Sequence, residues 1–242
     1  IITEYNAYGI QDTEEANEWL CRCINSRPTH VAIDSETTGL YPRDGHILGI
    51  SLSYEDDRGV YIDTECFDER TEALLQTLAN QTTMVLHNAK FDIAFFEYHF
   101  NLVFPKFEDT MLLHYLIDEN PGGHGLKQLA MKYTVYGDYE KPQYDWMAKY
   151  RKDHGMLKND FTWDLIPFDI MKTYAAMDAV VTLLVYKKFV KIKQNKRLGK
   201  VYDNILIPGC RFLTDIQENG VPFDIQRLTQ SQALMQVEID EA

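Results

Sequence analysis

HVAIDSETTGL, residues 30–40, carries an apolar run, Val31 to Ile33, straight into two carboxylates and then into turn residues. That is the pattern of a strand leaving a hydrophobic core. Side chains at i and i+2 of a strand share a face, so Asp34 and Glu36 are expected to project together while Val31 and Ile33 pack on the opposite side. Two hard oxygen donors then stand side by side. D-x-E alone has little weight, because the chain contains it four times, at Asp12/Glu14, Asp34/Glu36, Asp63/Glu65 and Asp138/Glu140. Asp63/Glu65 also follows a strand-like run and is the internal competitor. It lacks the T-T-G-L continuation, and its plain role is that of strand-end and loop carboxylates.

Working outward, Asp12 followed three residues later by Glu15 resembles a capping box and predicts a helix over about residues 13–26, with Pro28 marking its exit. After HVAIDSE, a second strand is expected in HILGISLSYED, past the turn residues Pro42, Asp44 and Gly45. A third is expected in GVYIDTE, past Asp56, Asp57 and Arg58. Three strands in succession suggest an antiparallel meander. From about residue 69 the pattern changes to a helix through EALLQTLAN, a short strand TMVLH and a helix opening near Asn88. Further helices are expected in DTMLLHYLI, in GLKQLAMKY and from about Phe168 to Lys193. The segment from Gly137 to Pro167 lacks clear periodicity and carries Pro142, Gly155 and many charges, which predicts a long loop or flap with a helical turn. The expected fold class is α/β, a mixed β-sheet flanked by helices.

Two further motifs bring carboxylates. In LHNAKFD the apolar strand ends at His87, Asn88 is a suitable N-cap, and Asp92 falls about one turn into the next helix, where negative charge is favoured. Taken alone, Asp92 reads as a helix-dipole or solvent residue. In YAAMDAVVT, Tyr174 and Asp178 are four residues apart on a helix and therefore share one face. Their plain reading is a half-buried packing tyrosine and a surface acid.

At 242 residues, with 45% hydrophobic and 12% aromatic content, the chain suggests one large domain with room for a piece of another. No apolar run approaches the roughly 20 residues of a membrane span, and the opening IITEYNAYGIQDTEE has no signal-peptide zones. A cytoplasmic setting without membrane association is the expectation. The chain has no initiating Met and stops in QALMQVEIDEA, which reads as a fragment of something longer. Cys21, Cys23, Cys66 and Cys210 form no C-x-x-C pair and no zinc-site spacing, so reduced, mostly buried thiols are expected, with no zinc. The net charge of −13 argues against a general nucleic-acid coat, since nonspecific DNA affinity comes from Lys and Arg neutralising phosphates. Any DNA contact must be local.

Taken in order, Asp34 and Glu36 in VAIDSETTGL, Asp92 in N-x-K-F-D, and Tyr174 with Asp178 in Y-x-x-x-D resemble the 3′→5′ proofreading exonuclease domain of family A, DNA polymerase I type, DNA polymerases. These belong to the tyrosine class of the DnaQ-like superfamily, and the resemblance covers most of the chain. It implies an RNase H-like fold and two bound Mg²⁺ or Mn²⁺ ions. Carboxylates suit such ions, and two of them can activate a water on one side of a phosphodiester and stabilise the leaving 3′ oxygen on the other. By the same resemblance Asp34 would bridge both ions, Glu36 and Asp178 would complete the one holding the water, Asp92 would support the second, and Tyr174 would orient the water. Leu40 would wedge against the terminal base, while Thr37 and Asn88 would hold the terminal nucleotide. Thr37 and Asn88 each have a turn or cap role available as well.

The sequence LIPGCRFLTDIQENGVPFDIQRL resembles the start of a polymerase domain in the same family. This divides the chain into an exonuclease domain, residues 1–197, and a linker helix with the start of a truncated polymerase domain, residues 198–242. Implied partners are a single-stranded or frayed 3′ DNA end and a polymerase domain in the full-length chain, used in DNA replication in a bacterial or phage-infected cytoplasm. A related RNA-processing exonuclease of the tyrosine class and a catalytically silent DNA-binding module are the alternatives. Two basic tracts stay open between DNA contact and a solvated surface. One is Tyr144, Trp146, Lys149, Tyr150, Arg151 and Lys152. The other runs from Lys187 to Lys200.

Overall fold

The strand expected in HVAIDSE forms at the middle of a six-stranded sheet. In chain order the strands are β1 (Asn6–Ile10), β2 (His30–Thr37), β3 (Ile47–Ser53), β4 (Arg58–Asp63), β5 (Thr83–Leu86) and β6 (Phe107–Asp109). Across the sheet they run β1-β4-β3-β2-β5-β6. The computed structural model describes residues 5–241, so the first four residues and Ala242 of the expected domain spans lie outside the described residues. β2, β3 and β4 form the anticipated antiparallel meander, with Asp34 opposite Ser51 and Ile50 opposite Ile62. β1 adds parallel to β4, β5 parallel to β2, and β6 parallel to β5. The β2–β3 register shifts between Glu36 and Thr37, so regular pairing breaks just after the second carboxylate.

The helices are α1 (Thr13–Ser26), α2 (Glu69–Gln81), α3 (Ala89–Phe100), α4 (Thr110–Tyr115), α5 (Leu126–Tyr133), α6 (Lys141–Asp153), α7 (Phe168–Phe189), α8 (Lys196–Val201), α9 (Ile207–Asn219) and α10 (Ile225–Glu241). The two-residue period of β2 is spent on two cores. Val31 and Ile33 pack with Leu20, Leu78, Phe95 and Phe96 of α1, α2 and α3. Ala32 faces the other way, into a cluster with Leu129 and with Val180, Val181 and Leu183 of α7. Asp34 and Glu36 continue the Ala32 face toward α7, as the alternation requires.

α7 lies close against the sheet because β4 presents a glycine, Gly59, where the helix approaches. A Cβ on Gly59 would collide with the Ala176 carbonyl oxygen. The near approach fixes the depth of the helix that carries Tyr174 and Asp178.

Three local expectations need correction. The segment read as a flap contains α6, a helix of 13 residues. Pro142 sits in its first turn, where proline's missing N–H costs nothing, and Lys141–Asp145 and Lys149–Asp153 pairs brace its exposed face. At the start of α1, Asp12 accepts the Glu15 amide at 3.0 Å, but the return arm of the capping box is replaced: the Glu15 carboxylate accepts the Tyr8 hydroxyl at 2.7 Å. The long helix ends at Phe189, and a 3₁₀ turn, Val190–Gln194, follows it.

Beyond residue 197 the chain stays on the same body through α9. Tyr202, in a π-helical turn, is fully enclosed and its oxygen accepts the Asp109 amide at 2.8 Å. Cys210 and Thr214 of α9 are also buried. α10 carries no buried residue. Among the described residues the four cysteines are unpaired, three of them buried, and no helix is long and apolar enough to cross a membrane.

Candidate active site

Asp34 and Glu36 at the end of β2 meet Asp178 of α7, one carboxylate oxygen of each lying within 4.8 Å of the others. Among the described residues this is the group of acids with metal-ligand spacing. Tyr174, one helical turn before Asp178, lines the same cleft. Asp92 is not gathered into the trio. It is buried beside it, and its Oδ1 accepts both the Ser35 amide at 3.0 Å and the Ser35 hydroxyl at 2.6 Å.

The electrostatics of this cluster are those of too much negative charge in too little water. Burial first, and then the charges of Asp92, Asp178 and Glu36, hold the Asp34 carboxyl well above the usual range. Glu36 is raised likewise by burial and then by Asp178 and Asp92. Burial pushes Asp92 and Asp178 up to about 7 against the opposing hydrogen bonds from Ser35 and Tyr139. Tyr174 is raised well above the ordinary phenol by burial and by the neighbouring Asp178 and Glu36 charges, so it remains a neutral hydroxyl near pH 7. One Glu36 oxygen, Oε1, is buried without a hydrogen-bond partner. A buried, unpaired carboxylate oxygen among other carboxylates calls for a proton or a cation beside it. All-oxygen donors of this kind suit a hard divalent ion.

The predicted substrate residues fall at two places. Thr37 and Leu40 line the carboxylate cleft, with the Thr37 hydroxyl donating to the Gly39 carbonyl at 2.9 Å and Leu40 standing 76% exposed. Leu40 projects at the lip of the cleft beside the exposed Tyr41. Asn88 lies in an adjoining depression that shares Leu40 and Phe91 with the cleft. The expectation that the Asn88 side chain caps α3 is not met. Asn88 adopts a left-handed conformation, φ 65°, which asparagine tolerates, and makes no side-chain cap bond. Asp109, at the end of β6, caps instead, accepting the amides of Asn88 at 3.2 Å and Ala89 at 2.8 Å.

Asp63 and Glu65 take the plain role. Asp63 accepts the Glu65 amide at 3.0 Å and the Gln11 side chain at 2.9 Å. The D-x-E at Asp138/Glu140, by contrast, contributes more than its context suggested. Glu140 is buried, lines the cleft and pairs with Lys127 at 3.2 Å. Tyr139, between the two acids, is also buried and donates to Asp178. Nothing in the sequence marks Tyr139 or Lys127 for the site, and the repeated D-x-E is the signal for Glu140. Of the basic tracts, Tyr144 reaches the cleft, whereas Lys149 pairs with Asp153 and Trp146 stacks on Tyr150 at 4.9 Å. Lys187 pairs with Asp56, and Lys193 with Glu108 at 2.8 Å and Asp203 at 2.9 Å.

A carboxylate-lined cleft at the end of a mixed, helix-flanked sheet defines a nuclease-type site. Residues 8–194 match the 3′-5′ exonuclease family model, and the chain belongs to the 3′–5′ exonuclease domain family of family A DNA polymerases. It is 45% identical over 232 residues to a DNA polymerase of Escherichia phage T5, covering 92% of this chain and 27% of that protein. It is 28% identical over 207 residues to DNA polymerase I of Borreliella burgdorferi, covering 82% of this chain and 21% of that protein. The chain thus spans about a quarter of the length of these relatives. In fold it is similar to the polymerase domain structure of Pol1 from M. smegmatis with DNA primer-template and dNTP, at TM-score 0.64 and 18% identity over 96% of this chain and 35% of that one. It is also similar to the catalytic core of RRP6 from Trypanosoma brucei, at TM-score 0.60 and 18% identity over 88% and 56%.

Proposed function

We propose that this exonuclease domain removes nucleoside monophosphates from single-stranded or frayed 3′ DNA ends, proofreading for a polymerase domain of the same full-length chain in the cytoplasm of a bacterial or phage-infected cell. The observation that carries the reading is the convergence of Asp34, Glu36 and Asp178 beside Tyr174 at the base of one cleft.

Asp34, Glu36 and Asp178 would hold one divalent ion and Asp34 with Asp92 a second, Mg²⁺ or Mn²⁺, supplying an activated water and stabilisation of the leaving oxygen. The protein's own groups do the rest. Tyr174, neutral and on the same helix face as Asp178, donates a hydrogen bond that orients the attacking water rather than removing its proton. Leu40, exposed at the lip, wedges against the terminal base, and Thr37 and Asn88 hold the terminal nucleotide. A cleft of this kind takes an unpaired terminus, and freeing paired nucleotides costs on the order of 1.4 kcal/mol per base-pair step. Mismatched ends are therefore favoured over matched ones. Residues 198–242 would form the linker helix and the entry to the polymerase domain, beyond an exonuclease domain of residues 1–197.

The test is incubation of the purified chain with 5′-labelled substrates of one sequence, with Mg²⁺ or with chelator. The expected result is a metal-dependent ladder of 3′-shortened products, fastest on single strands, slower on a mismatched 3′ end and slowest on matched duplex. Equal rates on all three, faster shortening of RNA than of DNA, or no metal-dependent product would overturn it.

A further inference from the structure

Tyr139 has no assigned part in the reaction, yet it is placed where a packing residue would not need a hydroxyl. It lies between α5 and α6, is 2% exposed, and belongs to the apolar cluster formed with α7. Its ring stacks along that of Tyr174, with centroids 6.4 Å apart and planes at 26°. Phenylalanine would fill that space equally well. The phenol instead donates to Asp178 Oδ1.

We propose that Tyr139 is a positioning residue for Asp178, holding one carboxylate oxygen so that the group presents a fixed orientation toward Asp34 and Glu36. A carboxylate on a short side chain turns readily about its last bond, and no positively charged side chain among the described residues pairs with Asp178 to stop it. The buried Tyr139 donor on Oδ1 opposes that rotation beside the weaker Tyr174 contact to the same carboxylate, and groups that orient metal ligands are typically worth 10–100-fold in metal affinity or activity. The inference rests on the reading of Asp34, Glu36 and Asp178 as the metal-binding acids. Two tyrosines then serve one aspartate from two elements. Tyr174 stands on α7 itself, one turn before Asp178, and Tyr139 reaches the same carboxylate from the α5–α6 connection.

The experiment is calorimetric titration of Mn²⁺ into the wild-type chain and Tyr139→Phe without DNA, followed by cleavage rates across Mn²⁺ concentrations. Tyr139→Phe is expected to keep the wild-type circular dichroism spectrum and to bind Mn²⁺ about 10-fold more weakly. Its cleavage rate should fall at limiting Mn²⁺ and recover most of the wild-type maximum at saturation. In an Asp178→Ala background the same change should add nothing, because its target is gone. Unchanged Mn²⁺ affinity in Tyr139→Phe, or a rate deficit that saturating Mn²⁺ leaves in place, would overturn the role. Loss of the folded spectrum would overturn it too, by making the hydroxyl structural. Failure of the wild-type chain itself to bind Mn²⁺ would instead defeat the metal-site reading on which the role depends.

Discussion

Ser35 and Asp92 are joined twice, the amide and the hydroxyl of the serine both donating to the same aspartate oxygen. Ser35 sits between Asp34 and Glu36 but points to the opposite face of β2, so the strand that presents two acids to α7 also grips a third on α3. The two faces of the sheet are thereby tied together at the site.

Ser35→Ala keeps the amide bond and removes the hydroxyl. Exonuclease activity is expected to fall about 10–100-fold, the usual effect of losing a group that orients a metal-site carboxylate. Single-turnover cleavage of an oligonucleotide measures it. A wild-type rate would mean that the backbone amide alone holds Asp92.

Tyr174→Phe is expected to slow hydrolysis by about 10²–10⁴-fold without abolishing it, the range for a group that handles or orients a proton in the transition state. Asp178→Ala should be worse, since it removes a carboxylate from the cluster itself. Saturating-substrate rates for both variants decide the order. An unchanged Tyr174→Phe rate would reduce the phenol to packing.

How far this site could be read beforehand depended on whether each residue acts through local chemistry or through a distant contact. β2 and α7 were legible because their periods, two and about 3.6, directly place Asp34 beside Glu36 and Tyr174 over Asp178. Asp92 was located but its partner was not, because nothing in the spacing of residues 34–36 says that Ser35 will reach 57 positions along the chain. The local sequence offers Asn88 as the cap of α3, whereas Asp109 supplies it from 20 residues away. α6 is not legible in the sequence because Pro142 and a weakly amphipathic, charged stretch have the character of a loop, although the proline occupies the first helical turn.

Gly59→Ala tests whether the depth of α7 matters. The added methyl meets the Ala176 carbonyl, a backbone atom that moves only if the helix does. Overpacking of this kind costs about 1–3 kcal/mol, and here it should also lift Tyr174 and Asp178 away from β2. Urea unfolding and cleavage rates are expected to fall together. Full activity with stability lowered by less than about 0.5 kcal/mol would show that α7 can shift without disturbing the site.

Stability of the metal-free domain should run against its function as pH changes. Asp92 and Asp178 are raised in the folded state to about 7, above their unfolded values, chiefly by burial. A carboxylate raised on folding stabilises the protein while protonated in both states, below about 4, and that contribution is lost as pH rises through about 7. With chelator present, the melting temperature is therefore expected to be higher at pH 5.5 than at pH 8. Mn²⁺ added at pH 8 should restore it, because a ligand that binds only the folded state stabilises that state. Asp178→Asn removes one of the buried charges while retaining an oxygen to accept from Tyr139. It should melt higher than wild type at pH 8 in chelator, gain less from Mn²⁺, and be without appreciable nuclease activity. Melting curves at the two pH values, with and without Mn²⁺, measure all of these. A wild-type melting temperature that rises from pH 5.5 to 8 in chelator would mean that Asp92 and Asp178 are not raised on folding.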